Sequence, residues 1–307
     1  MVRHILARVM AAVPTLFLIA AASFFLMRLA PGGPFDAERA LAPEIAANLR
    51  HIYRLDLPLA QQFWLYLQSL LSGDFGPSFH WRDFTVNELF AKALPISAQL
   101  GGEAMALALI VGTALGLVSA IRQTGLVAHL VGAVALLGII VPPFVVAPLL
   151  QLVFGLTLKS LPVGGWNEGA WRNQILPVVT LALPLIAAVA RLTRAALIDV
   201  LDQPHIRTLR AFGLPAAHIY AHALRAASLP VLSYLGLAAA NVLTGSVVVE
   251  TIFGIPGMGR LMVQAVFQRD FVVVQGGVLL MATSVLAANF LTDIAYSLLD
   301  PRIRYDV

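Results

Sequence analysis

The chain of 307 residues has no cysteine, only two lysines, and charged residues at 12% of positions. Without cysteine there is no disulfide framework, no thiolate metal site and no thiol nucleophile. The two lysines, Lys92 and Lys159, do not follow glycine, so the Gly-Lys-Ser/Thr of a phosphate-cradling loop cannot be built. A soluble domain carries about 25% charged residues; half that share excludes an ordinary water-facing surface. No His-Glu-x-x-His helix and no Gly-x-Ser-x-Gly elbow occurs, and no basic run interleaves with aromatics. Metalloprotease, serine-hydrolase and nucleic-acid-binding readings therefore lack their residues.

What the chain has is apolar length. Hydrophobic residues fill 59% of positions and the mean hydropathy is +0.85. A membrane span needs roughly 20 apolar residues. Six runs qualify, at 9–29, 97–121, 129–156, 175–192, 229–252 and 271–298. The expected fold is all-α and polytopic, with six transmembrane helices. Pro142, Pro143, Pro148 and Pro184 fall inside these runs, which span helices tolerate. The first run is long for a signal peptide and has Arg28 near its end, so it reads as a retained span. Arg3, Arg8, Arg122, the arginines of 191–225, Arg302 and Arg304 share one face under this count. By the positive-inside rule that face, with both termini, is cytoplasmic.

Three regions follow: a first span over 1–30, an outer-face extramembrane segment over 31–96, and a five-helix core over 97–307. The outer segment has an amphipathic run, Gln61 to Leu71, with Phe63, Leu67, Leu70 and Leu71 at helical spacing. Its Trp64, Tyr66, Phe75, Phe79, Trp81 and Phe84 suit a membrane interface. In the core, Gly112, Gly116, Gly132 and Gly138 permit close helix approach.

Within the core, the connection over 191–228 is unusual for a membrane protein. Arg191, Arg194, Arg207, Arg210 and Arg225 face only Asp199 and Asp202. Pro204 suits a first helical position and Gly213 the residue past a helix end. A short helix from Pro204 to about Phe212, lying along a membrane surface, is a docking element for a cytoplasmic partner. His218 and His222 are four apart but have no carboxylate beside them to complete a metal site. The ionisable residues inside spans are Glu103, Glu250 and Asp293; such groups are functional candidates because burying them in hydrocarbon is costly. Asn289, one turn before Asp293, adds a polar face. Residues 253–259 (FGIPGMG) read as a tight re-entrant turn.

The segment 206–215, IRTLRAFGLP, continuing through 222–225 (HALR) to Leu229-Pro230, resembles the EAA loop of binding-protein-dependent ABC transporter permeases. Residues 30–36 (APGGPFD), 73–78 (GDFGPS), 249–260 (VETIFGIPGMGR) and 298–305 (LLDPRIRY) match the same family in the same order. The pattern is similar to the B-type permease of the oligopeptide/dipeptide/nickel subgroup and covers essentially the whole chain. Leu209 stands where that pattern tends to alanine. The stretch 97–107 is less typical, so the resemblance assigns Glu103 no role.

The resemblance implies a type I importer permease in the bacterial inner membrane, moving oligopeptides or dipeptides by alternating access. Its implied partners are a second, related permease, two cytoplasmic ATPase subunits and a periplasmic substrate-binding protein. The chain itself binds no cofactor and performs no bond chemistry; ATP and Mg belong to the ATPases. Pro204, Arg207, Thr208, Arg210, Ala211, Gly213 and Leu214 are the expected ATPase-coupling residues. Anionic lipid is the competing partner for Arg207 and Arg210. Asn241, Thr244, Glu250, Asn289 and Asp293 are the pore-lining candidates. A rival reading is an autonomous proton-coupled carrier using Glu250 and Asp293.

Overall fold

The computed structural model of the chain describes residues 2–29, 54–81, 83–123, 125, 132–133, 138 and 140–299. Side chains of 2–7, 9, 237, 240–241, 243–245, 293 and 295–299 fall outside that description. Among the described residues the structure is helical, with one isolated backbone bridge, Pro77 to Thr85. The helices are α1 (Val2–Leu29), α2 (Leu59–Leu71), α3 (Val86–Ile121), α4 (Pro143–Leu150), α5 (Trp171–Leu201), α6 (Pro204–Ala211), α7 (Ala216–Phe253), α8 (Met258–Phe267) and α9 (Phe271–Leu299).

Among the described residues, four stretches are long and apolar enough to cross a membrane: Met10–Leu29, Val86–Ile121, Trp171–Leu201 and Phe271–Thr292. The broken pair Ser246–Phe253 and Met258–Phe267 makes a fifth if counted as one span. Of the expected third span, 129–156, residues 129–131, 134–137 and 139 lie outside the described residues. Its described end begins at α4, where Pro143 occupies the first turn, and passes into π-helical turns over Gln151–Thr157. The matched stretches 30–36 and 300–305 also lie outside the description.

Two helices start well before the runs that announced them. Helix α3 begins at Val86 rather than 97 because Thr85 and Glu88 form a capping box. The Thr85 N–H donates to Glu88 Oε2 at 2.8 Å, and the Glu88 N–H donates to Thr85 Oγ1 at 3.3 Å. Helix α5 runs from Trp171 to Leu201, past both ends of the 175–192 run. An apolar window stops where arginines begin, whereas the helix continues while one face stays buried.

The chain forms two compact units, Met1–Ile96 with Gly257–Leu286 and Ser97–Pro256 with Ala287–Val307. In the first, Phe24 is fully buried against Phe63 and Tyr66, with ring centroids 5.1 and 5.5 Å away. The Arg28 guanidinium lies 3.6 Å over the Phe24 ring, and its Nε donates to Gln62 Oε1 at 2.9 Å. Burial pushes the Tyr66 phenol up to about 12. Elsewhere in this unit the buried Asp270 caps α9, accepting from the Val273 N–H at 3.2 Å. It also accepts from the Ser78 hydroxyl and from the His80 N–H at 3.0 Å.

In the second unit α5 and α7 pack along their length, and glycines set the closest approaches. A Cβ on Gly112 would lie 2.7 Å from Val189 Cβ, and one on Gly116 would lie 2.6 Å from Thr193 Cβ. Gly138 is similarly close to Ala187, whereas Gly132 has open space. A Cβ on Gly236 would overlap the Thr292 side chain, and one on Gly102 meets nothing within 4 Å. Gly236→Ala should therefore destabilise the folded chain by about 1–3 kcal/mol. Gly102→Ala should stabilise it by up to about 1 kcal/mol through helix propensity. Thermal unfolding in detergent checks both; equal effects would remove the packing account.

Candidate functional site

The connection between α5 and α7 is built from conformational extremes. Helix α5 ends at Leu201, Gln203 is extended (ψ 150°), and Pro204 opens α6. The Gln203 carbonyl accepts from the Ile206 N–H at 3.1 Å and the Arg207 N–H at 3.3 Å. The far end closes when the Gly213 N–H donates to the Arg210 carbonyl at 3.0 Å and the Leu214 N–H to the Leu209 carbonyl at 3.3 Å. Gly213 has φ +74°, a left-handed conformation that costs other residues about 1–2 kcal/mol. Pro215 then starts α7, its carbonyl accepting from the His218 and Ile219 N–H groups.

Because a Cβ at Gly213 meets nothing within 4 Å, the cost of substitution there is conformational alone. Gly213→Ala should loosen α6 by about 1 kcal/mol, and Gly213→Asn by less, since Asn tolerates the left-handed region. Amide hydrogen exchange across 206–214 reads this directly. Equal protection in Gly213→Ala and the unsubstituted chain would contradict it.

One side chain seats the helix. Ile206 is fully buried, in a cluster with Leu197, Val200, Leu201, Ile219, Ala223, Ala227 and Ala120. Leu209, one turn on, is half-buried against the same cluster. Its departure from the alanine of the resembled pattern thus has a packing role. The other face is open: Pro204, His205, Arg207, Thr208, Arg210 and Ala211 are exposed, and Phe212 is 77% exposed. The Thr208 hydroxyl turns inward to the Pro204 carbonyl at 3.1 Å. Among the described residues, Arg207 and Arg210 form no ion pair. Arg210 stands in the last turn, where its charge complements the helix dipole.

The expected coupling residues therefore share one exposed surface. Sequence reasoning missed Ile206, which holds that surface in place, and Phe212, its largest apolar projection. The Ile206/Leu209 spacing was the available signal for the first. The 191–228 connection is also less of a loop than expected: Arg191 and Arg194 ride on α5, and Arg225 on α7.

Of the pore-lining candidates, Asn241 and Thr244 belong to α7 and Asp293 to α9, with side chains outside the description. Asn289 is half-buried on α9. Glu250 is fully buried three residues before the end of α7, and its Oε1 accepts from the Ser97 hydroxyl at 2.6 Å. Glu103 is half-buried midway along α3 and accepts from Gln99 Nε2 at 2.9 Å. No group of three histidine, cysteine or carboxylate residues able to hold a metal occurs among the described residues.

This geometry is that of a membrane-embedded helical core presenting a capped cationic helix, and comparisons with known proteins agree with it. Residues 112–305 match the family described as "Binding-protein-dependent transport system inner membrane component". Residues 1–90 match its companion, "Binding-prot-dependent transport system membrane comp, N-term". The oligopeptide transport system permease protein OppB of Salmonella typhimurium is 47% identical over 306 residues, 99% of this chain and all of that protein. The dipeptide transport system permease protein DppB of Bacillus subtilis is 40% identical over 99% of this chain and 98% of its own length. Among solved structures, an amino acid ABC transporter chain matches with a TM-score of 0.53 at 18% identity, covering 71% of this chain and 95% of that one. That likeness establishes a shared fold. The chain belongs to the binding-protein-dependent transport system inner membrane component family, as an ABC transporter permease.

Proposed function

We propose that this chain is the peptide-conducting permease subunit of an ATP-driven importer in the bacterial inner membrane. The observation that carries this reading is α6: a capped helix, seated by one buried isoleucine, with an exposed phenylalanine and arginines that form no ion pair among the described residues facing outward. Such a surface suits a cytoplasmic ATPase whose closure moves the spans as rigid bodies. Six spans with both termini cytoplasmic, a second permease of the same kind, two ATPase subunits and an external binding protein complete the assembly. Region 1–30 serves as the first span, 31–96 as a periplasmic cap and 97–307 as the conducting core. ATP and Mg act on the ATPases, and this chain holds no cofactor. The names of the similar permeases, oligopeptide and dipeptide, support peptides as substrate.

Reconstitution tests this reading. Trialanine uptake into vesicles should require this chain, its partner permease, the ATPases, the binding protein and ATP together. Uptake by the lone chain driven by a proton gradient would overturn it in favour of a secondary carrier.

A further inference from the structure

Glu103 stands midway along α3, on a helix face that hydrocarbon would not select. Leu100, Ala104 and Ala108 are fully buried along one side of the helix. The other side exposes Gln99, Gly102 and Ala106, with Glu103 half-buried among them. Beyond this patch the exposed positions of α3 become Leu109, Ile110, Val118 and Ile121, as expected of a surface meeting lipid. A carboxylate within a span is costly unless it faces a protein interior, a water-filled path or the interface. A stripe of Gln, Gly, Glu and Ala within an apolar span therefore marks something other than lipid.

The hydrogen bonds give this patch a direction. Gln174, buried on α5, donates from Nε2 to the Gly169 carbonyl at 2.6 Å. Its oxygen then faces Gln99, whose Nε2 lies 3.4 Å away. The same Gln99 nitrogen donates to Glu103 Oε1 at 2.9 Å. Both amide hydrogens of Gln99 are thus engaged. Among the described residues, Gln99 Oε1 and Glu103 Oε2 accept no hydrogen bond. The patch offers acceptors and a carboxylate but no free donor, which is the complement of an ammonium group.

We infer that the Gln99–Glu103 face of α3 lines the translocation path and receives the α-ammonium group of the passing peptide. The inference rests on the peptide-permease reading above. It makes Glu103, which the family pattern leaves without a role, a specificity-determining residue of this chain. An aminophospholipid headgroup carries the same ammonium chemistry, so the test separates the two sources.

The absence of cysteine from the chain makes it a clean background for thiol labelling. Gly102→Cys places a thiol on the patch without touching Gln99 or Glu103, and Ile110→Cys, two turns further along where the exposed residues have become apolar, serves as the control. The complete transporter is reconstituted in phosphatidylcholine/phosphatidylglycerol vesicles, and labelling of this chain is followed by mass. Cationic 2-aminoethyl methanethiosulfonate should label Gly102→Cys about tenfold faster than anionic 2-sulfonatoethyl methanethiosulfonate, as one nearby carboxylate dictates. Adding Glu103→Gln should collapse that bias, trialanine should slow the labelling, and Ile110→Cys should stay unreactive. A Gly102→Cys as unreactive as Ile110→Cys would overturn the inference, placing the face against lipid or the second permease. A bias indifferent to Glu103→Gln would overturn it too, as would protection by added phosphatidylethanolamine and not by trialanine. Charge-biased labelling in a complex that takes up no trialanine would instead count against the peptide reading, so the two failures are distinguishable.

Discussion

Reversing both charges, Arg207→Glu with Arg210→Glu, should abolish ATP-dependent uptake while leaving the chain in the membrane. Both guanidinium groups are exposed and lack ion-pair partners among the described residues, so no ion pair among them is lost on substitution. What changes is the surface offered to the ATPase. Truncating or reversing a charge that is desolvated at an interface costs about 2–5 kcal/mol. That corresponds to about thirty-fold to several thousandfold in affinity. The ATPase subunits should no longer co-purify with the variant permease, whereas its melting temperature in detergent should match that of the unsubstituted chain. Co-purification at the unsubstituted level, with normal uptake, would remove the docking assignment.

Ile206→Ala should produce the second large effect, by a different route. The arginines remain, but the helix loses its anchor in the cluster of Leu197, Val200, Ile219 and Ala223. A fully buried Ile→Ala substitution costs about 2–5 kcal/mol, and Ile→Val about 0.5–1.5 kcal/mol. Because Ile206 holds α6 and not the spans, the cost should fall on local order between 203 and 215. The ATPase should still bind, and hydrolysis should continue, but each cycle should move less peptide. The measurement is the ratio of peptide transported to ATP hydrolysed, with Ile206→Val close to the unsubstituted chain and Ile206→Ala well below it. An unchanged ratio in Ile206→Ala would show that the seating of α6 is irrelevant to transmission.

The parts of this structure that were legible in the sequence are those set by local chemistry. Pro204 and Gly213 fix the ends of α6 because one cannot continue a helix backward and the other adopts a backbone few residues accept. The helix was expected to reach about Phe212; it ends at Ala211 with Phe212 as its cap. The break after Phe253 was legible for the same reason, Gly254 being left-handed at φ +69°. The early start of α3 was readable in Thr85 and Glu88, but an apolar window does not register a polar cap.

Burial was less accessible, because it depends on residues distant in sequence. Ser97 and Glu250, separated by 153 positions, meet only in the folded unit, and no local pattern announces them. Glu250 read as a polar residue inside a span, yet it is fully buried. Glu103 read as an ionisable residue inside a span, and it is half-buried midway along α3 beside the exposed Gln99 and Gly102. Helical periodicity says which residues share a side of α3 but not which side the core takes, and that choice separates Leu100 from Gln99.

The most direct test of the account places a photo-crosslinker at Phe212, as p-benzoylphenylalanine, in the assembled transporter. Phe212 is the most exposed apolar side chain beside Arg207 and Arg210, and its substitution leaves the Ile206 anchor intact. Irradiation should join this chain to an ATPase subunit, with a yield that changes when ATP is bound. Adducts to phospholipid alone, unaffected by nucleotide, would contradict the account and make α6 a membrane anchor.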